Sequence, residues 1–539
     1  MSSMSIRLAL SGLFIFALVQ MAQQSSEATL VIRVINSSTG RPAAVRVKLE
    51  DAKGNRPAAT GAVAISENAI PIPRKAVGVM WGQNDRAQGY ALQPDGAFYV
   101  DGGFEISVPP GAYRLTVTKG FEYTEQSLTL DLKPGSSTQR EVRMARWIDM
   151  PAQGWYSSDD HIHLRRSPAD DPNIMTWVAA EDIHVGNILE MGDFWATYFA
   201  QYAFGEKGRY QRDGRILVSG QEEPRTPEIG HTISLGAREL ARSQRNYYSY
   251  DKLFDRVHEL GGISGIAHQA FSFHGYRGLA LNTLTGKTDF LELAQFCVPE
   301  RPLPVKYYYH FLDLGYRLTA LAGSDFPWCG RGMSESDAAI PRIGNARFYT
   351  YTGQPRALTY DAWFAAMKAG RTFVTTGPML MLRVNGTSLP GDSINVAPGT
   401  KLRVTAEATG PNLKSIQIIG HGKTLAQKES SSAGTAKLSA EIEITTASHG
   451  MWIAAKCETA DPAKMAHTTP VYVTVNGGGF HNPQTARANS GLTEQWLQEI
   501  EQDLVSPAPN VDAQAVRHKV ELERQIAEAR ARLKTLKLD

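Results

Sequence analysis

Trp155-Tyr156-Ser157-Ser158-Asp159-Asp160-His161-Ile162-His163 ends in two histidines separated by one residue. On a β-strand residues i and i+2 share a face, so the His161 and His163 imidazoles can reach one metal ion. Such a pair alone is a weak signal, since two exposed or hydrogen-bonded histidines give the same spacing. The run opens a stretch, residues 151–377, in which helical and apolar segments alternate. Asn173 to His184 reads as a helix and Val185 to Met191 as a strand. Tyr250 to Leu260 reads as a helix stopped by Gly261-Gly262, followed by the buried strand Ile263 to Ala267. Val305 to Tyr316 and Thr359 to Lys368 read as helices, followed by strands at Leu318 to Leu321 and Thr372 to Thr375. This α-then-β order predicts a parallel α/β sheet or barrel, and in barrels the strand ends build the active site.

Outward from this stretch the pattern changes. Residues 29–150 carry short β-branched runs such as Leu30-Val31-Ile32-Arg33-Val34, and two strands flanking the turn Pro109-Pro110-Gly111. They predict a small β-sandwich. Residues 378–480 return to strands, including Leu402-Arg403-Val404-Thr405-Ala406 and Val471-Tyr472-Val473-Thr474-Val475, and predict a second sandwich. In residues 490–539, Leu492, Trp496, Leu497, Ile500 and Leu504 share one helix face. After Pro507-Ala508-Pro509, Leu522, Ile526, Ala529, Leu533 and Leu536 share another. These read as a helical hairpin packed on the core, with a coiled-coil dimer as the alternative.

At the other end, Arg7 precedes the apolar run Leu8 to Met21. That run is short for a membrane span and suits a signal peptide over residues 1–28, with cleavage near Ala28 or Ala22. The alternative is an uncleaved anchor. Export to the periplasm or medium is the expectation, with no other stable membrane span. Lys plus Arg number 56 and Asp plus Glu 54 in 539 residues, a balance that argues against a nucleic-acid partner bound through bulk positive charge. The three cysteines, Cys297, Cys329 and Cys457, form no zinc-ribbon spacing, so histidines and carboxylates must hold any metal.

Further donors follow His161 and His163 at the ends of later apolar runs. Gly220-Gln221-Glu222-Glu223 leads to Gly230-His231; Ile263 to Ala267 ends in His268; Ala320 to Ser324 ends in Asp325. Each has a plain reading: Asp325 as a helix cap, His268 as a satisfied core histidine, Glu222 and His231 as a loop ion pair. Together they are what a multinuclear hydrolytic site needs, and imidazole with carboxylate suits Zn, Mn or Fe(II). Arg165, Arg166 and Arg225 lie beside donor positions and read either as anion clamps or as surface charges. Phe194, Trp195, Tyr198 and Phe199 either line an apolar pocket or pack. His274 is a candidate proton donor or an exposed loop histidine.

The motif order resembles the PHP (polymerase and histidinol phosphatase) superfamily, and within it the CehA/McbA-type metallohydrolases. The residues that carry the resemblance are the W-Y-x-x-D-x-H-x-H run, Met191-Gly192-Asp193, the G-x-E…G-H segment, the run from Gly261 to Gln269, and Arg371 to Pro378. The resemblance implies a distorted (βα) PHP-type barrel over 151–377. Two β-sandwich modules flank it, the first of the carboxypeptidase-regulatory-like kind, with a C-terminal helical hairpin beyond. It implies His161, His163, Glu222, His231, His268 and Asp325 as metal ligands, with Glu222 bridging. Two departures matter. Asp193 stands where the family has a histidine and is the expected replacement ligand. Pro327 stands where the family has a late histidine, which favours one or two ions over three. Asp159 is expected to orient a ligand histidine, and Asp325, His274 and Arg225 to act in catalysis.

The implied activity is that of an exported hydrolase whose metal-bound hydroxide cleaves an ester, carbamate or amide, without an organic cofactor. A phosphoesterase on the same site, or a non-catalytic binding or cell-surface protein with a degenerate hydrolase domain, are the alternatives.

Overall fold

The computed structural model describes residues 27–59, 96–295, 304–326, 342–506 and 513–537. The expected signal segment lies outside them apart from its last two residues, as do Cys297, Cys329 and Pro327. Among the described residues no helix is long and apolar enough to cross a membrane. Strands outnumber helices, and the chain forms two compact units: residues up to 149 with 172–182, and residues 150–171 with 183 onward.

The first unit is a β-sandwich. One sheet orders Gly103–Val108, Ala28–Asn36 and Ser137–Met144; the other orders Phe98–Asp101, Ala44–Asp51, Gly111–Thr118 and Gln126–Leu132. Alternation puts Leu30, Ile32 and Val34 of one sheet and Val45, Val47, Leu115 and Val117 of the other into a shared core. The helix Asp171–Ala180 packs here through Trp177 against Tyr99. It stops earlier than the expected His184: Asp182 turns left-handed at φ 54 and holds Arg146 by two hydrogen bonds of 2.8 and 2.9 Å.

The second unit is built on one curled sheet. Its strands β1 (Trp155–Ile162), β2 (Val185–Gly192), β3 (Arg215–Glu222), β4 (Gly230–Leu235), β5 (Ile263–Ile266), β6 (Phe290–Gln295) and β7 (Thr319–Gly323) neighbour one another in that order. The chain after β7 then returns to β1, through a parallel bridge between Ile162 and Phe326 and a 2.7 Å hydrogen bond from His163 N–H to the Phe326 carbonyl. β2, β5 and β7 are buried along their whole length, which explains their near-continuous apolar reading.

The expected all-parallel order fails at one strand within β1–β7, and again beyond them at Arg347–Tyr351, which runs antiparallel to β1. β4 runs antiparallel to both β3 and β5, while β1–β2–β3 and β5–β6–β7 are parallel. The cause is the short link from Glu222 to Gly230, which is too brief for a crossover and joins antiparallel neighbours. The helices Tyr250–Glu259, Gly275–Leu284 and Lys306–Asp313 precede or link β5, β6 and β7. The first stops where expected, at Gly261, whose φ of 86 lets the turn close.

β8 (Arg347–Tyr351) pairs with the first half of β1, and β9 (Thr372–Thr375) pairs with β8. Beyond them the sheet continues without interruption: Phe373 of β9 pairs with Thr468, so Met465–Thr468, Met451–Thr459 and Leu413–Gly420 extend it. A separate three-stranded sheet, Met379–Val384, Lys401–Thr409 and Lys437–Thr445, supplies the other β layer of this region. The tail helices Ala486–Val505 and Lys519–Lys534 pack into the main core through Trp496, Leu497, Ile500, Leu522, Ile526 and Leu533. Arg530 ties them together through Glu494 and Glu501.

The tail docks partly on His310, which is buried and shares a 2.7 Å hydrogen bond between its Nε2 and Thr493 Oγ1. Burial drives its pKa from 6.5 down to about 3. Between those values unfolding takes up a proton. The stability owed to the neutral imidazole is therefore complete above about pH 6.5 and is lost as the pH falls, at up to about 1.4 kcal/mol per pH unit. Urea unfolding of the wild type and His310→Gln at pH 7 and pH 5 is expected to show their stability gap narrowing by about 2 kcal/mol at the lower pH.

Candidate metal centre

The direction of each strand decides which of its ends meets the others. His161 and His163 leave the carboxyl end of β1, Glu222 ends β3, His268 follows β5 and Asp325 follows β7. His231 is the second residue of β4 instead. Because β4 runs against its neighbours, its beginning lies at their ends, and the one donor placed at the start of a strand joins those placed at the finish. His161, His163, Glu222, His231, His268 and Asp325 are all buried.

His161 Nε2 and His163 Nε2 are 3.0 Å apart. Glu222 Oε2 lies 3.8 and 3.3 Å from them, and Asp325 Oδ1 lies 3.4 Å from each. Donors bound at ~2.0–2.2 Å to one ion stand about 3.0–3.5 Å apart, the edge of an octahedron or tetrahedron. The other oxygens of the same two carboxylates face a second group. Glu222 Oε1 lies 2.9 Å from His231 Nδ1 and 3.8 Å from His268 Nε2, and Asp325 Oδ2 lies 3.6 Å from His268 Nε2. Three overlapping sets among the described residues can hold a metal ion: His161–His163–Glu222, His161–His268–Glu292 and Glu222–His231–His268.

The hydrogen bonds around the imidazoles sharpen this. His161 Nδ1 donates to Glu292 Oε1 at 2.9 Å, and His163 Nδ1 donates to the Leu189 carbonyl at 3.4 Å. Both Nε2 atoms are left facing each other and two carboxylate oxygens, a convergence of acceptors that needs positive charge at its centre. His268 Nε2 is buried without a hydrogen-bond partner. The residues present therefore fit a cation.

The electrostatics agree. Burial opposes charge on His161 and His163, but the Asp325, Glu222 and, for His161, Glu292 carboxylates overcome it and raise both pKa values. Burial would also raise Glu222, but Arg225 and the three neighbouring histidines hold it far below the usual carboxylate range; Asp325 is lowered in the same way by His161, His163 and His268. His231 falls to about 3 through burial and the Arg225 charge.

The cage is held by the backbone as well. His268 and Asp325 both adopt left-handed conformations, φ 56 and 50, which cost of order 1–3 kcal/mol each in a non-glycine residue. Asp159 is buried, and its carboxylate accepts from His161 N–H, Ser324 N–H and Gly344 N–H at 2.9, 3.0 and 2.7 Å. It thereby ties β1 to the chain after β7. Gly323 permits that approach: a Cβ there would lie 2.3 Å from Asp160 Oδ1 and 2.4 Å from His161 Cβ.

Other residues singled out in the sequence fall elsewhere. Asp193 does not join the grouped donors. Its Oδ1 accepts from the N–H groups of Trp195 and Ala196 and its Oδ2 from the Tyr198 hydroxyl, so it closes a turn after β2. His274 sits on the left-handed loop after His268, with Nδ1 on the Pro227 carbonyl at 2.8 Å. Arg225 does face the cage, its Nε 3.0 Å from Glu222 Oε2. Arg166 is already paired with Asp171 at 2.6 Å, and Arg165 is half-buried. Phe199 stacks on His163, whereas Trp195 is exposed.

Three participants escaped the sequence reading: Glu292, Gln295, whose Nε2 donates to Asp325 Oδ2 at 3.0 Å, and Phe273, stacked on His231 at 4.1 Å. The strand β6 that carries the first two went unread.

No family model and no curated protein matches this chain. Among solved structures, the fibronectin(III)-like modules of Clostridium thermocellum CbhA are 16% identical over 19% of this chain and 96% of theirs, at a TM-score of 0.13. The minor pilin GBS52 of Streptococcus agalactiae is 14% identical over 23% of this chain and 46% of its own, at 0.14. The N-terminal four Ig domains of Dscam1 isoform 1.9 are 8% identical over 84% and 73%, at 0.14.

The geometry separates two aspartate and histidine variants. His163→Ala is expected to lower the metal content of chain purified without chelators, and Asp193→Ala to leave it unchanged, as read by elemental analysis per chain.

Proposed function

We propose that the chain is an exported metal-dependent hydrolase of the PHP kind, similar to the CehA/McbA-type enzymes. The curled sheet of β1–β7, with its return to β1 and its linking helices, supports reading the second unit as a distorted (βα) barrel. The apolar run from Leu8 to Met21 supports export. The single observation that carries the catalytic reading is the convergence of bare His161 and His163 Nε2 atoms with Glu222 and Asp325 oxygens.

His161, His163, Glu222 and Asp325 would hold one divalent ion, Zn, Mn or Fe, and Glu222, His231, His268 and Asp325 a second. When bound, such ions lower the pKa of a water into the neutral range and polarise the bond to be cut. The chain's own residues do the rest. Glu222 turns Oε2 toward His161 and His163 and Oε1 toward His231 and His268, and Asp325 divides its two oxygens between His161 with His163 and His268. Arg225 sets its positive charge beside Glu222, where an oxyanion or the anionic group of a substrate can be held. Gln295 pins Asp325 by donating to its Oδ2. Phe199 and Phe273 pack against His163 and His231 and shield those rings from water. Access lies on the side of His231, His268 and Asp325, which keep a little exposure, whereas His161 and His163 keep none.

The bond cleaved is an ester, carbamate or amide in the leading reading. The Arg225 guanidinium favours a second, cleavage of a phosphoester, since its fork matches phosphate oxygens. Metal-loaded protein assayed on aryl ester, carbamate, amide and phosphoester substrates distinguishes them by which class turns over. Exhaustive chelation, and His161→Ala with His163→Ala, are expected to abolish that turnover. Full activity after both treatments would overturn the reading.

A further inference from the structure

We propose that Glu292 is the positioning residue that couples the two halves of the cage, so that they fill together. The inference rests on the metal-centre reading above and adds to it a residue outside the expected ligand set.

Glu292 lies in the middle of β6 and is fully buried. A register shift between Glu292 and Ala294 interrupts the pairing of β6 with β7. Such an irregularity re-aims side chains, and here Glu292 and Gln295, three residues apart, both serve the cage where strict alternation would put them on opposite faces. Glu292 Oε1 accepts from His161 Nδ1 at 2.9 Å, and Glu292 Oε2 accepts from the His268 backbone N–H at 2.5 Å. One bond sets the His161 tautomer and aims its Nε2 at the position shared with His163. The other holds the left-handed backbone of His268, whose Nε2 faces the position shared with His231. One carboxylate therefore contacts a donor in each half. Ordering it for the first ion leaves less ordering for the second to supply, which is positive coupling between the two. Outer partners of this kind are worth about 10–100-fold in metal affinity.

The test is a zinc titration of metal-stripped full-length chain against a chromophoric chelator, for the wild type, Glu292→Gln, Glu292→Asp and His163→Ala. Glutamine keeps an acceptor for only one of the two donors, and aspartate is too short to span both. The expected result is that the wild type takes up two equivalents and that Glu292→Gln weakens both steps by about 10–100-fold. The metal-stripped Tm should stay close to wild type, and the ligand-field bands of the cobalt-loaded variant should shift. His163→Ala, which Glu292 does not touch, should lose the first position. Wild-type affinity at either step in Glu292→Gln overturns the coupling while the metal centre stands, provided His163→Ala shows its loss. A wild type that takes up no zinc overturns both. Should Glu292→Gln fail to fold, Glu292→Asp decides in the same way: weakening of both steps supports the assignment, and wild-type affinity overturns it.

Discussion

The second unit is organised around a problem of buried charge. His161, His163, Glu222, Glu292, His231, His268 and Asp325 are withdrawn from water within a few ångströms of one another. Removing a single carboxylate from water costs several kcal/mol unless opposite charge or donors replace the solvent. Arg225 supplies one positive charge, beside Glu222 Oε2, and backbone N–H groups supply some donors, but the two Nε2 atoms still face each other at 3.0 Å beside two carboxylate oxygens. The raised pKa values of His161 and His163 express the same demand, because protons are the positive charge these residues can take up themselves. A divalent cation satisfies it with no proton at all. The strand directions, the left-handed backbones and the close passage at Gly323 all serve to bring these groups together against their own cost.

The sheet order follows from a small local choice. Seven residues separate β3 from β4, so the chain turns back on itself and β4 runs antiparallel. That reversal places His231 beside Glu222, from which it is nine positions distant. A crossover helix at this point would have made β1–β7 parallel throughout and sent the start of β4 to the far edge of the sheet. This break in the parallel pattern is thus what places a Gly-His pair at the head of a strand among the donors.

What could be read in advance follows the same physics. The period-two spacing of His161 and His163 declares a shared face without any tertiary knowledge. Strands β2, β5, β7 and β9, buried on both sides, announce themselves as apolar runs, and the helix before β5 ends at its glycine as the backbone requires. Glu292 was hidden because its strand went unread, and the register shift beside it is a property of the pairing with β7. Asp193 misled for the opposite reason. An aspartate just past a strand is as good a turn former as a ligand, and its two oxygens found N–H and O–H donors within five residues. The antiparallel run of β4 is likewise set by loop length, which the composition of the strand does not show.

The tail helices extend the argument to the edge of the unit. His268 opens a loop in which Gln269, Ala270, Phe273 and His274 are also left-handed. A strained loop of this kind persists only when its surroundings over-determine it. On one side Glu292 grips its first residue. On the other, the helix Gly275–Leu284 that follows is anchored by Arg277, nearly buried, to Glu499 at 3.0 Å and Asp503 at 2.6 Å, and by the Tyr276 hydroxyl to Glu499 at 2.7 Å. Both acids belong to Ala486–Val505. The tail is therefore more than a cover for apolar core. It closes the far clamp on a loop whose near clamp is Glu292, and His268 is held between the two.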